Sequence, residues 1–465
     1  MTHRQRWVLI LTAIASLMVA LDVTVVSTAL SSIRMHLGAS VDQLEWTVNA
    51  YGLSFAVLLM TGAALGDRFG RRRLFVAGML LFVAASAACA LATNIGWLIA
   101  ARAVQGAGAA VIAPLSLALL SAAFPPERRP WALGVFGAIT GLAVVAGPVL
   151  GGAITETLAW QWIFWLNVPI GLAAIPLIRT RIEESFGPRA GLDAPGLALV
   201  TAAALGIVWG LVRGNSAGWG SLEVIATLAG GTVASVAFVL WERRAREPML
   251  PMRLFRSPAF AAGNAATLLM FGALFSAVFF MAQFLQTTLG LSPLQAGIRL
   301  IPWTGTVMIV SPIAGALVER VGERPLLVGG LLMQAAGLGW VALLARTGLP
   351  YSHMIPPLIV AGVGISTALP AVQNAVVGAV EPSEIGKASG TFSTMRQLGG
   401  AFGLAVAVAV FSGAGSYASP AAFSDGFAPA IAVSAALSLL GAFAALRLGT
   451  GRVAAALPSL EPAGS

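Results

Sequence analysis

The composition of this chain excludes a soluble protein. Of its 465 residues, 58% are hydrophobic and only 10% are charged, whereas a soluble domain carries about a quarter charged residues. So little charge cannot cover a water-facing surface, and we expect lipid to cover most of the protein. The net charge of +9 would suit nucleic acid, but the positions of the basic residues indicate membrane orientation instead, and no nucleic-acid partner is expected.

Apolar segments follow one another along the whole chain, each close to the ~20 residues that cross a bilayer. The first follows a basic start, as in a secretory signal, but it is too long for a signal core and further segments come after it. We therefore expect an all-α membrane protein with fourteen transmembrane helices. The predicted segments are 8–30, 44–65, 74–93, 97–120, 131–154, 161–179, 193–212, 221–241, 259–284, 296–318, 325–345, 355–378, 389–411 and 427–447.

The basic residues predict the orientation of these segments. If the N-terminus is cytoplasmic, most of the 27 basic residues fall at cytoplasmic ends, as positive-inside topology requires. The exceptions are four residues at outer ends (Arg34, Arg213, Arg299 and Arg346) and two within segments (Arg102 and Arg396). We expect a multi-pass protein of the bacterial inner membrane with both termini in the cytoplasm.

An internal repeat predicts two homologous halves. Residues 65–72 read LGDRFGRR and residues 317–325 read LVERVGERP, and both stand at the cytoplasmic end of an even-numbered segment. Parallel repeats of this kind build transporters from two bundles. The expected domains are a six-helix bundle (1–190), an inserted helix pair with a cytoplasmic linker (191–258), a second six-helix bundle (259–450) and a short cytoplasmic tail (451–465).

The residues that would support catalysis or a metal are scarce. Cys89 is the single cysteine, which excludes an intrachain disulfide and a thiolate metal cluster. The three histidines, His3, His36 and His353, are far apart in sequence, and no GxxxxGK[ST] phosphate-binding loop occurs. We expect no enzyme activity, no metal, no cofactor and no ATP hydrolysis, which leaves the proton gradient as the energy source.

Several motifs, in the right order, resemble the fourteen-helix drug:proton antiporter branch of the major facilitator superfamily. They are LDVTVVSTAL (21–30), LEWTVNAYGL (44–53), GDRFGRRR (66–73), RAVQGAGAA (102–110), AGPVLGG (146–152), WQWIFWLNVPIG (160–171), LQTTLGLSPLQAGIRLIPW (285–303) and ASGTFSTMRQLGGAFG (388–403). The chain departs from the branch pattern at Ser27, Ser31, Glu45, Ala63 and Ala143. The resemblance implies the major-facilitator fold and a monomer that exports small hydrophobic or amphipathic compounds, such as drugs and antibiotics, in exchange for protons.

Asp22 and Arg102 are the candidate proton-coupling residues. Asp22 is the only acid well inside a predicted segment, and a charged side chain at the bilayer centre costs at least ~2.5 kcal/mol. At ~1.5 Å of rise per residue, Asp22 and Arg102 lie at similar depths, and Gln105 shares a helix face with Arg102. The alternatives are a structural Asp22 and an Arg102 that snorkels to the interface.

Candidate gating residues stand in two motifs. Gly147, Pro148, Gly151 and Gly152 predict a bent, closely packed helix that suits a joint between moving halves, although ordinary packing is the alternative. In the loop motifs, charge could hold the cytoplasmic side shut, or merely signal topology. The loop candidates are Asp67, Arg68, Gly70 and Arg71, with Glu319 and Arg320 in the second half.

Arg396 lies near mid-membrane, where a cation needs a partner or water, and the candidate partners are backbone carbonyls, Gln373, Asn374 or an anionic group on a ligand. We expect it to line a substrate cavity with Gln105, Trp46, Tyr51, Gln283, Gln373 and Asn374, although most such side chains simply pack or face lipid. Glu45 is expected at the outer mouth of its helix, where it attracts cations or is solvated. A facilitator or proton symporter of an endogenous metabolite on the same fold remains the alternative function.

Overall fold

The structure is a computed structural model that describes residues 1–125, 128–187, 193–381 and 384–448. Within these ranges it contains helices and no strands, and fourteen helices are long and apolar enough to cross a membrane. The predicted all-α membrane fold is thereby confirmed. The helices are α1 His3–Leu37, α2 Val41–Phe69, α3 Arg71–Ala90, α4 Ile95–Ala123, α5 Trp131–Thr157, α6 Trp162–Arg181, α7 Ala194–Ala217, α8 Leu222–Glu242, α9 Pro258–Thr287, α10 Pro293–Val318, α11 Glu323–Leu344, α12 Tyr351–Val377, α13 Lys387–Ala414 and α14 Pro420–Ala445.

Local sequence explains where many of these helices begin and end. Polar caps accept hydrogen bonds from the first free backbone N–H groups, and Thr2 and Ser40 form full capping boxes before α1 and α2. The two loop motifs each contain a glycine with positive φ, Gly70 at 106° and Gly322 at 89°. Only glycine adopts this conformation without strain, so both repeats make the same tight turn between an even-numbered helix and the next one.

The same helix pairs pack in the first and the second half. In the first half α1 packs on α5, α2 and α3 on α4, and α3 on α6. In the second half α9 packs on α13, α10 and α11 on α12, and α11 on α14. The division into domains stays a prediction, because the boundary between residues 190 and 191 and the tail 451–465 lie outside the described residues.

The inserted helices α7 and α8 cover the line along which α2 of the first half meets α13 of the second. Helices α7 and α8 approach each other closely where Gly206 of α7 lies against Gly231 of α8. Val208 of α7 belongs to the same buried cluster as Leu53 of α2 and Leu398 of α13. The pair therefore contacts both halves at once.

The bundle has two ends with different chemistry. The basic face is formed by residues 66–73, 179–187 and 242–256, and the opposite face by residues 38–40, 91–94, 158–161, 288–292 and 415–419. The halves meet at the opposite face, where the Gln286 amide donates to the Thr28 carbonyl at 3.0 Å. The Arg34 guanidinium also lies 4.3 Å from the centre of the Tyr417 ring. Both contacts join α1 to the second half.

Candidate functional site

Asp22 on α1 and Arg102 on α4 form an ion pair inside the first half. Their side chains are 1% and 2% exposed, and Arg102 Nη1 donates to the Asp22 carboxylate. Arg102 Nε donates to the Thr47 carbonyl on α2 at 3.1 Å. A buried charge pair is tolerated when further hydrogen bonds complete its coordination, so the surrounding side chains decide whether this pair is stable.

Three neutral side chains complete the hydrogen bonding of the pair. Gln105 Nε2 donates to Asp22 Oδ1 and to Ser86 Oγ, both at 2.7 Å, and its Oε1 accepts from Arg102 Nη1 at 2.6 Å. Asn167 Nδ2 lies 3.2 Å from both Asp22 Oδ1 and Ser86 Oγ. The network joins α1, α3, α4 and α6, and a change of charge at Asp22 alters its bonds from Arg102, Gln105 and Asn167.

Sequence reasoning identified part of this network. Asp22, Arg102 and Gln105 were predicted, whereas Ser86 and Asn167 were not. Asn167 stands within the motif WQWIFWLNVPIG and is a polar residue in an apolar segment, which is a usable signal. Ser86 gave no signal, because single serines are common in membrane helices.

Tyr51 of α2 covers the ion pair. The Arg102 guanidinium lies 4.3 Å from the centre of the Tyr51 ring and 5.7 Å from that of Phe164. A guanidinium against the face of an aromatic ring is attracted by the ring's quadrupole, more strongly when it is desolvated. The two rings thus shield the pair and help to hold Arg102 in place.

Arg396 of α13 lies in the second half and is half-buried. Its Nε is buried and has no hydrogen-bond partner among the described residues. The guanidinium lies 5.7 Å from the centre of the Phe271 ring, which contacts the rings of Phe275 and Phe392 at 6.1 and 6.4 Å. Unlike Arg102, this cation has an aromatic ring beside it but no carboxylate within ion-pair distance among the described residues.

The other predicted cavity residues lie apart from this centre. Trp46 packs against Trp209 of the inserted pair, with ring centres 5.6 Å apart. Gln283 donates to the Phe279 carbonyl of its own helix at 2.8 Å, and its Oε1 accepts the Tyr417 hydroxyl. Burial raises the pKa of Tyr417, so this hydroxyl keeps its proton and remains a donor.

Gln373 and Asn374 are exposed near the basic-face end of α12. The structure therefore places Gln105 and Tyr51 beside the ion pair and Arg396 beside Phe271, and it distributes the remaining predicted side chains elsewhere. A separate apolar groove of about 470 Å³ between α5 and α6, lined by residues such as Ile154, Trp162 and Leu172, contains none of the predicted cavity residues.

The first loop motif is anchored within its own half. Asp67 accepts from Arg71 Nε at 2.8 Å, and the Arg71 N–H donates to the Ser185 carbonyl at 2.9 Å. The Arg72 N–H donates to Glu184 Oε1 at 2.9 Å. These bonds tie the α2–α3 turn to the segment after α6.

The remaining loop candidates are less constrained. Arg68 is exposed, with its guanidinium 5.3 Å from the centre of the Phe69 ring. In the second half Arg320 is exposed, and the side chain of Glu319 lies outside the described part of the structure. The proposed latch between halves therefore stays a prediction.

The candidate glycines of α5 lie where that helix packs closely against α1 and α10. A Cβ atom at Gly147 would clash with Thr24 of α1, and one at Gly151 with Thr28. A Cβ atom at Gly152 would clash with the Pro293 carbonyl at the start of α10, in the other half. One face of α5 therefore packs within its own half while the adjoining face meets the second half.

Contacts between α5 and α10 are reinforced by Pro148 and Glu156. A Cβ atom at Gly297 of α10 would clash with the Pro148 carbonyl. At the opposite face, Glu156 Oε2 accepts from the Ser292 hydroxyl and from the Leu294 N–H, the latter at 3.0 Å. The carboxylate of Glu156 thus caps the first turn of a helix from the other half.

The expectation that Glu45 is solvated was wrong. Its side chain is fully buried, Oε1 accepts from Asn49 Nδ2 at 2.8 Å, and Oε2 has no partner among the described residues. Asp22 is therefore not the only acid inside a membrane helix. The position near the start of α2 was correctly predicted, but neighbouring helices cover it, which hydropathy along one segment does not reveal.

The site and the fold can now be compared with known proteins. A sequence model of the Major Facilitator Superfamily matches residues 12–404. The chain belongs to the major facilitator superfamily. It is accordingly a membrane transporter and not an enzyme, as the sequence predicted.

Three curated members of the superfamily illustrate the similarity. The chain is 34% identical over 401 residues to the tetracenomycin C resistance and export protein of Streptomyces glaucescens, covering 86% of this chain and 74% of that protein. It is 37% identical over 422 residues to the cephamycin export protein of Amycolatopsis lactamdurans, with 89% and 86% covered. It is 36% identical over 473 residues to the puromycin resistance protein of Streptomyces alboniger, with 97% and 93% covered.

Solved structures of major facilitators share the fold. The peptide transporter POT superposes with a TM-score of 0.70 at 15% identity, covering 94% of this chain and 93% of that one. A bacterial homologue of the human lysosomal transporter Spinster superposes with the same TM-score and identity, covering 97% and 98%. At this identity the likeness establishes the architecture alone.

Proposed function

We propose that this chain is a proton-coupled antiporter that exports small hydrophobic or amphipathic compounds, antibiotics among them, from the bacterial cytoplasm. The names of its relatives, which describe antibiotic export and resistance, support efflux as the direction of transport. The basic face and both termini are placed in the cytoplasm, because basic residues concentrate in cytoplasmic loops. No cofactor is needed in this proposal, since the proton gradient supplies the energy. The protein works as a monomer.

The observation that carries proton coupling is the buried carboxylate of Asp22 in its network. Asp22 accepts from Arg102, Gln105 and Asn167, so its ionised form is the one that these donors stabilise. A proton on Asp22 removes the negative charge that balances Arg102 and adds an O–H donor to a group that otherwise only accepts hydrogen bonds. Proton binding therefore reorganises contacts between α1, α4 and α6.

A packed route connects this reorganisation to the interface between halves. Thr24 and Val25 follow Asp22 on α1 and lie against Gly147 and Gly151 of α5. Gly152, on the adjoining face of α5, lies against α10. A shift of α1 on protonation is thereby passed to the contact between halves, which closes the opposite face in the conformation described here.

Exchange follows from alternating access around this site. With the opposite face open, Asp22 takes a proton from outside and substrate leaves. With the basic face open, the proton leaves to the cytoplasm, Asp22 pairs with Arg102, and substrate binds. Because substrate and proton favour different states, the inward proton gradient drives substrate outward.

Transport by purified protein in liposomes tests this proposal. Tetracenomycin C and puromycin are the probes, pyranine inside the liposomes reports protons, and protein-free liposomes correct for passive entry. We expect an acidic lumen to drive accumulation of a probe, with alkalinisation of the lumen that depends on that probe. Equilibration without a gradient would indicate a facilitator, and proton movement in the same direction as the probe would indicate a symporter; either result contradicts antiport.

A further inference from the structure

The two deep arginines of this protein differ in their charge balance. Arg102 has Asp22 as its counter-ion. Arg396 has no carboxylate within ion-pair distance among the described residues, and its buried Nε donates to nothing there. Since a guanidinium stays protonated in proteins, the described part of the structure leaves this positive charge, deep within α13, without a counter-ion.

The helix that carries Arg396 packs against the first half. Gly390 of α13 lies against Met60 of α2, and α2 also carries Tyr51, the residue whose ring covers Arg102. The other buried acid of the first half, Glu45, is bonded to Asn49 of its own helix. Arg396 therefore stands on the helix at which the second half meets α2, and alternating access moves the two halves relative to each other.

A small aromatic cluster lies beside this unbalanced cation. Phe271 lies beside the guanidinium, and Phe275 and Phe392 contact Phe271. Rings at such spacing pack against the faces and edges of another aromatic group. A planar guanidinium binds a carboxylate through two parallel hydrogen bonds, so a charged site and an aromatic site adjoin.

We propose that Arg396 binds an anionic oxygen, a carboxylate or an ionised phenol, on an aromatic export substrate, whose rings pack against Phe271 and Phe392. This inference rests on the proposed export function and names aromatic monoanions as the preferred class among its substrates. Permanent cations are disfavoured at this position, because they meet an unneutralised guanidinium with no acid beside it. A substrate anion supplies the missing counter-charge in the desolvated interior, where charge-assisted hydrogen bonds are strong.

A matched pair of fluorescent probes tests the site by equilibrium binding to the full-length protein in nanodiscs. Pyrenecarboxylate carries the anion, and pyrenemethanol has the same rings without the charge. We expect the wild-type protein to bind pyrenecarboxylate at least about tenfold more tightly, the size of one hydrogen bond to a charged group. Arg396→Gln should remove that preference while its affinity for pyrenemethanol stays within about twofold.

Two further variants keep the test decisive. Arg396→Lys retains the charge without the bidentate geometry and should keep part of the preference, which also covers the case in which Arg396→Gln fails to fold. Arg346→Gln removes an exposed arginine just beyond α11 and should bind both probes as the wild type does. Equal wild-type affinities for the two probes, or equal weakening of both by Arg396→Gln, would overturn the proposal.

The binding test is independent of proton coupling. It requires no gradient, so a failure of antiport in liposomes leaves the preference for the anion intact. Conversely, loss of the preference with antiport retained would reject the anion site alone.

Discussion

Charged residues inside a membrane protein are informative at the scale of the single residue, because each needs a physical reason to be there. Asp22 and Arg102 neutralise each other, and Gln105 and Asn167 complete their hydrogen bonding. Arg396 and Glu45 have no opposite charge within ion-pair distance among the described residues. The first pair serves coupling in our proposal, whereas the other two residues require separate explanations.

Asp22→Asn should abolish export driven by a pH gradient, since an amide cannot carry the proton. It also leaves Arg102 buried without a counter-ion, which costs about 3–5 kcal/mol for a broken buried pair. The double variant Asp22→Asn with Arg102→Gln removes both charges and should melt at a higher temperature than Asp22→Asn, yet remain inactive. Asp22→Glu should retain partial activity. Wild-type rates of gradient-driven efflux from Asp22→Asn would sink the coupling role.

Glu45→Gln should leave thermal stability and export nearly unchanged, with a free energy of unfolding within about 0.5 kcal/mol of wild type. An ionised carboxylate buried without a cation is far more costly than a neutral acid, and glutamine is the neutral isostere that still accepts from Asn49. Melting curves and efflux rates of Glu45→Gln, compared with Glu45→Ala, measure this. A large loss of export with Glu45→Gln alone would show that the charge of Glu45 is used.

At the scale of the element, the glycines of α5 allow a packing role to be distinguished from a role in coupling, because they face different neighbours. Gly147 and Gly151 face α1 of the same half, and Gly152 faces α10 of the other. Gly134, Gly137 and Gly141, nearer the basic face, have open space around the position of a Cβ atom. One helix therefore carries three kinds of glycine with different expected roles.

Substitutions along α5 should consequently have different effects. Gly147→Leu overfills a contact within one half and should lower the melting temperature, as overpacking typically costs about 1–3 kcal/mol. Gly152→Leu should instead disfavour closure of the opposite face, so the protein stays folded but loses export and leaks protons. Gly137→Leu is the matched control and should resemble the wild type. Detergent melting curves and pyranine leak assays on all three proteins distinguish these outcomes. Normal leak and export in Gly152→Leu would leave α5 with a packing role only.

At the scale of the whole molecule, the halves are joined at more than one place. Contacts of α1 and α5 with the second half close the opposite face, and the inserted pair α7 and α8 spans α2 and α13. Asn215 of α7 donates to the Ala409 carbonyl of α13, which fixes the inserted pair to the second half. When the halves move relative to each other, they must therefore slide along the inserted helices or carry these helices with them.

The orientation of the whole molecule can be measured by cysteine labelling on a Cys89→Ala background. Ser216 of α7 is exposed near the opposite face, and Phe186 is exposed near the basic face. A membrane-impermeant maleimide added to intact cells should label Ser216→Cys at once and Phe186→Cys only after permeabilisation. Cys89 is fully buried, so the wild-type background should be low. The reverse pattern would overturn the cytoplasmic placement of the basic face.

Much of this architecture follows from local properties of the chain. The number and placement of the helices follow from hydropathy and length, because each segment must satisfy its own backbone hydrogen bonds in lipid. The repeated loop motif indicated two halves, and depth along α1 and α4 showed that Asp22 and Arg102 could meet if their helices were neighbours. These inferences use position along the membrane normal, which rise per residue gives directly.

Lateral arrangement is what only the tertiary structure decided. Hydropathy and depth do not say which helix faces meet, so the sequence did not reveal that Ser86 and Asn167 join Asp22, nor that neighbouring helices bury Glu45. The same reason explains why Trp46 lies against the inserted pair while Tyr51 covers Arg102, although both stand on α2. The rotation of each helix about its axis depends on close packing with its neighbours, and those neighbours come from distant parts of the chain.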